Sequence, residues 1–277
     1  MPATAEGRNP RGAYLNSVNR ALRRCDGFGY RARLGLVYIA SSIVMEPECY
    51  AMAPPGVSIH TARIPLDGKV DVEHVGGLAG DDAGAGPLLD ATRLLATAPL
   101  HSIVFACTSG SFIGGRGYDE RIMARMAAVA RGIPVTTTAT ALVAALRTLD
   151  ARRVALATPY TETVTARALA FLEGHDIGIA STGCLALEDD WAIGFTEPDT
   201  VRSLACSVDR RDADAVVIAC TNLRTAGVIE ELEAALGKPV ISANQASFWH
   251  GLRLAGFQEP VPHYGRLLRM PIGMGPA

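Results

Sequence analysis

The sequence predicts an α/β fold of two similar lobes, each a mostly parallel sheet covered by helices, related by a pseudo-twofold axis with the active site between them. Three observations predict it. From Leu34 onward, short β-branched runs alternate with helical stretches, the order that builds parallel sheets. The strand-like runs are apolar throughout rather than alternating, as in strands buried on both faces. One block order also occurs twice: a strand, then a strand ending in cysteine and a small hydroxyl turn, a helix, a Gly-x-Pro-Val strand and a closing helix.

Residues 1–32 carry Gly, Pro, Arg and Asn around a helical pattern from Tyr14 to Leu22, an arm that is loose or docks on a neighbour. Leu34–Ala40, Ser102–Ala106, Val154–Ala157 and Ala215–Ala219 read as strands; Pro87–Ala98, Glu120–Arg131, Thr163–Glu173 and Ala226–Leu236 read as helices. The repeat pairs Gly132-Ile133-Pro134-Val135 with Gly237-Lys238-Pro239-Val240, each followed by a helix that is expected to cross to the other lobe. The expected lobes are therefore 33–136 plus 245–277, and 137–244.

At 277 residues with 49% hydrophobic side chains, the chain can bury a sizeable core. A net charge of −2 gives no electrostatic reason to expect nucleic acid or an anionic membrane as partner. No apolar stretch reaches spanning length, and the arginine-rich start has no apolar core with a small-residue cleavage site, so a cytoplasmic protein is expected. Six cysteines without scaffold-like spacing read as reduced thiols. No C-x-x-C or H-x-x-x-H pattern occurs, so no metal site is expected, and each histidine is read as a surface or satisfied core residue.

The chemistry is carried by Cys107-Thr108-Ser109-Gly110-Ser111 and Cys220-Thr221-Asn222. In an α/β sheet the turn after the carboxyl end of a strand lies on the ligand side, so the repeat brings two thiols to opposite sides of one cleft. A thiolate is a strong nucleophile and a usable base, and backbone N–H groups at a helix start favour it. Free cysteines are usually small buried hydrophobes, but two in matched contexts point to two-sided proton transfer or addition–elimination. Other features weigh less. Gly110–Gly117 lacks the lysine of a phosphate-binding loop and reads as a mobile turn. Trp191 and Phe195 are weighed as pocket lining against packing, and Glu46 and Glu48 as a solvated helix start.

On these motifs, with Ala157-Thr158-Pro159-Tyr160, Cys220-Thr221-Asn222-Leu223-Arg224-Thr225, and Pro239 to Gln245 with Trp249-His250, the chain resembles the aspartate/glutamate racemase superfamily. Within it, the likeness is to the branch of maleate cis-trans isomerase and arylmalonate decarboxylase, from about Arg31 to Phe257. The resemblance implies that Cys107 is the nucleophile or one of two bases, and that Cys220 is its acid/base partner. It implies that Thr108, Ser109, Thr221 and Asn222 bind a substrate carboxylate, and that Tyr160 points into the cleft. Arylmalonate decarboxylases have glycine where Cys107 stands, which argues against that reaction.

Two positions depart from the maleate isomerase pattern. In Ala40-Ser41-Ser42-Ile43, Ile43 stands where the family has a carboxylate-binding asparagine, and Asp190 stands in the place of a second asparagine. Ser41, Ser42, Ile43 and Asp190 are thus expected around a pocket that keeps one substrate carboxylate and places an apolar, hydroxyl or amino group where the second would be. The expected activity is a cofactor-independent isomerase of a small carboxylate, with no metal. The rivals are a two-base racemase or epimerase, and a catalytically silent metabolite-binding protein. A homo-oligomer without nucleic-acid or membrane partners is expected.

Overall fold

A computed structural model describes residues 10–66, 68–79 and 85–271. Residues 1–9 of the expected arm and 272–277 of the expected first lobe lie outside these. In chain order the elements are α1 (Pro10–Cys25), β1 (Ala32–Ile39), α2 (Met45–Met52), β2 (Val57–Ile64), α3 (Val72–Gly76), α4 (Pro87–Leu95), β3 (Ser102–Ala106), α5 (Thr108–Phe112), α6 (Tyr118–Val129) and β4 (Val135–Thr137). They continue with α7 (Thr138–Thr148), β5 (Arg153–Thr158), α8 (Glu162–Gly174), β6 (Gly178–Cys184), α9 (Asp190–Gly194), α10 (Pro198–Val208), β7 (Ala215–Ile218), α11 (Ile229–Leu236), β8 (Val240–Ser242) and α12 (Ala243–Leu254).

The strands form two four-stranded sheets, ordered β2-β1-β3-β4 and β6-β5-β7-β8, with every pairing parallel. The second order is the first shifted by four strands, which is the repeat seen in the sequence. All of β1, β3 and β7 is buried, because helices cover both faces of these inner strands. The edge strands β2 and β6 are only partly buried.

The closing helices exchange. α7 starts on a Thr137 cap and α12 on a Ser242 cap, each hydroxyl accepting from the N–H three residues on. Ala139 and Leu142 of α7 face Leu156 and Val217 of the second sheet. α12 returns to the first sheet, where Ser102 Oγ donates to Gly251 O at 2.8 Å. A Cβ on Gly251 would stand 3.0 Å from Val104 Cγ2, so glycine lets the helix lie this close to the strand.

The described part of the arm docks on its own chain. Arg11 donates to Leu100 O (2.7 Å) and Arg131 O (3.0 Å), and Asn19 accepts from Arg33. Arg33 is also why β1 begins earlier than its apolar run. Its buried guanidinium and Nε donate to the carbonyls of Gly29 and Pro99, so a cation is accommodated inside the strand.

Candidate active site

Both cysteines sit one or two residues past their strands, and each thiol is held by a local N–H. Cys107 caps α5 and accepts from Gly110 N at 3.4 Å; Cys220 accepts from Asn222 N at 3.3 Å. Gly110 is required by this geometry, since a Cβ there would lie 2.9 Å from Cys107 Sγ. Gly110–Phe112 are therefore not a mobile turn: they are buried helix, fixed by Ser111 Oγ, which donates to the carbonyls of Cys107 and Thr108 and accepts from Ala139 N.

The two thiols line one cavity of about 20 Å3 with Ile39, Ser42, Leu66, Val70, Thr108, Ser109, Tyr160, Asp190, Thr221 and Asn222. Burial pushes each thiol up to about 12. For Cys107 this is opposed by Gly110 N–H and the Ser109 hydroxyl, and for Cys220 by the Tyr160 hydroxyl and Asn222 N–H. Tyr160 is 2% exposed, and burial together with the neighbouring thiols raises its phenol. Thr108 Oγ1 is a buried hydroxyl without a conventional hydrogen-bond partner, so it has a donor to give to a group entering the cavity.

The far wall is a polar network. Asp190 Oδ2 accepts from Ser41 Oγ (2.7 Å) and Ser42 Oγ (2.8 Å), and Asp190 Oδ1 accepts from Asn222 Nδ2 (3.0 Å). Asn222 Oδ1 in turn accepts from Ile43 N at 2.9 Å. Ser41 thus reaches the cavity only through Asp190. Ile43 reaches it through its backbone alone: its side chain is 38% exposed and lies outside the lining, a correction to its expected place in the pocket. The reason is that its N–H is fixed on Asn222, which turns the side chain outward. Trp191 and Phe195, at 62% and 64% exposed, do not line the cavity either.

Four contributors carry no local sequence signal. Leu66 and Val70 come from the segment after β2, which is held across the mouth by Val70 N to Glu188 O and Asp190 N to Gly68 O, both 2.8 Å. The Tyr38 hydroxyl accepts from Val44 N and Met45 N, and faces Thr221 O. Glu48 is a correction: its carboxylate is not solvated but accepts from Thr225 N, Thr225 Oγ1, Ala226 N and Asn244 Nδ2. It ties α2 to the Cys220 turn, because that turn presents N–H groups no strand can satisfy. Glu46 instead pairs with Arg63 at 2.7 Å.

A family model described as arylmalonate decarboxylase matches residues 80–268. The chain is 33% identical over 246 residues to maleate isomerase of Nocardia farcinica, covering 86% of this chain and 95% of that protein. It is 35% identical over 193 residues to arylmalonate decarboxylase of Bordetella bronchiseptica, covering 68% of this chain and 79% of that one. Among solved structures, a mutant of the Nocardia farcinica maleate cis-trans isomerase with a covalently bound succinylcysteine intermediate superposes with a TM-score of 0.79 at 30% identity, over 86% of this chain and 98% of that chain. With two parallel-sheet repeats, a cysteine at the end of the third strand of each and one cavity between them, this chain belongs to the family of the arylmalonate decarboxylases and maleate isomerases.

Proposed function

We propose that the protein is a cofactor-independent isomerase of a small unsaturated carboxylate, working through Cys107 and Cys220 in the manner of maleate isomerase. The observation that carries this reading is the pair of buried thiols on one cavity, one from each repeat. The covalent succinylcysteine captured in the Nocardia farcinica relative supports it. In this mechanism Cys107, a protonated thiol in the closed cavity, gives its proton to solvent while the cavity is open to admit substrate. Its Sγ, as thiolate, then bonds to one alkene carbon and the π electrons move onto the carbon beside the carboxylate. The developing enolate charge is met by Thr108 and Ser109, with Thr221 on the other side, donors whose interaction strengthens as charge builds, while Asn222 holds the Cys220 thiol and Asp190 in place. Cys220 gives a proton to that carbon, the single bond turns, Cys220 takes the proton back and the C–S bond breaks to the trans alkene.

A cavity of about 20 Å3 has room for roughly one water molecule. Substrate entry therefore requires the cavity to widen, after which the lining residues, Leu66 and Val70 among them, exclude water from the thiols. Asp190 occupies the wall where a second carboxylate would bind, so the proposed substrate keeps one carboxylate and carries an apolar, hydroxyl or amino group opposite it. The exchange of α7 and α12 supports taking 33–136 with 245–277 and 137–244 as the two lobes, and the same reading makes the protein a cytoplasmic homo-oligomer.

The same two thiols could serve a two-base racemase, and the products separate the readings. With a panel of (Z)-2-alkenoates, isomerisation gives the (E)-alkene by proton NMR. Solvent deuterium entering a saturated stereocentre with no alkene conversion would favour the racemase instead.

A further inference from the structure

Asp119, Glu120 and His175 form a compact cluster away from the cysteines. Asp119 and Glu120 open α6, which belongs to the first repeat, and His175 caps the C-terminal end of α8, from the second. One ligand atom from each lies within 4.8 Å of the others, the only such group of three among the described residues. Two of these atoms have no partner. Asp119 has a side chain 2% exposed; its Oδ2 accepts from Thr140 Oγ1 at 2.6 Å while its Oδ1 is buried and unbonded. That orphaned oxygen faces His175 Nε2, likewise buried and unbonded, at 4.0 Å. Leaving a carboxylate oxygen and an imidazole nitrogen buried and unsatisfied is costly.

We propose that Asp119, Glu120 and His175 hold a divalent transition-metal ion that staples α6 to α8. Two carboxylates and a neutral imidazole are a donor set for zinc, cobalt or manganese. Ligand atoms around tetrahedral zinc stand about 3.3 Å apart, so the 4.0 Å between Asp119 and His175 closes with a small side-chain shift. The cluster opens onto a pocket of about 340 Å3 also lined by Arg116, Arg147 and His250, which leaves the remaining coordination positions to water or a small anion. The ion would not touch the reacting atoms. It would act on their support, because the ring of His175 lies 4.5 Å from Phe171, whose neighbour Phe112 packs edge-on against Tyr160 at 6.2 Å.

The test is uptake of Co2+ by the full chain after EDTA treatment and dialysis, read by visible absorption and by thermal unfolding. Wild type is expected to bind one equivalent with a nitrogen/oxygen-type spectrum lacking thiolate charge transfer, and to unfold at higher temperature. His175→Ala and Asp119→Asn should each weaken binding by about 100-fold or more. His175→Ala, at a helix end, decides the matter if the Asp119 variant does not fold. No uptake by wild type, a thiolate spectrum, or equal uptake by His175→Ala would overturn the site. Because metal uptake is read rather than turnover, failure here leaves the cysteine mechanism untouched.

Discussion

Ser42 Oγ donates to Asp190 Oδ2 at 2.8 Å across the wall of the cavity that holds both thiols. The contact spends the Ser42 hydroxyl on a side chain of the protein itself, and Ser41 and Asn222 give their donors to the same carboxylate. A substrate dicarboxylate would meet an acidic group here rather than a donor.

Maleate is accordingly expected to be a poor substrate, and Asp190→Asn should bind it better by about tenfold, the effect of removing one like charge and adding one amide donor. Inhibition constants for maleate in the two proteins check this. Efficient turnover of maleate by wild type would mean that other groups receive its second carboxylate.

Glu48 is an acceptor for four donors, two of them backbone N–H groups that can only donate. Glu48→Gln therefore removes the charge that strengthens all four bonds and forces the Thr225 hydroxyl and the Asn244 amide to turn and accept from the new amide N–H. A loss of about 2 kcal/mol of stability is expected, with a fall in kcat, because the turn running from Cys220 to Ala226 loses its anchor. Urea denaturation and turnover together check it; a variant unchanged in both would assign that turn's geometry to other contacts.

The inner strands β1, β3, β5 and β7 were legible because covering helices impose a continuous apolar run, and the two cysteines because the repeat shows each in the same setting. The edge strands β2 and β6 were not, since a half-covered strand such as Gly178–Cys184 needs no such run. Ile43 shows a second limit: its position in the chain is next to the site, yet which way a side chain points depends on where its N–H is fixed. Val70 and Glu48 reach the site through pairings with residues 118 or more positions away, and nothing local encodes those.

The buried thiols also predict a pH dependence of stability. Folded Cys107 and Cys220 hold their protons up to about 12, whereas in the unfolded chain a thiol loses its proton near about 8.5. The folded state binds more protons in between, so this contribution is full below about 8.5 and is lost as pH rises towards 12. Between about pH 9 and 10, wild type should lose stability more steeply than the Cys107→Ala/Cys220→Ala double variant, by about 1 kcal/mol per pH unit per thiol. Parallel curves would show that the thiols are not buried as protonated groups.

Attack by Cys107 on the substrate, with Cys220 handling the proton, is tested most directly by intact-protein mass spectrometry of Cys220→Ser. The variant is incubated with a (Z)-2-alkenoate that wild type isomerises, and the product is mapped by peptide. A mass gain of one substrate is expected on the peptide containing Cys107, with loss of turnover by ~10²-fold or more in both Cys107→Ala and Cys220→Ala. Near wild-type turnover in Cys107→Ala, or an adduct on any other residue, would contradict this division of roles.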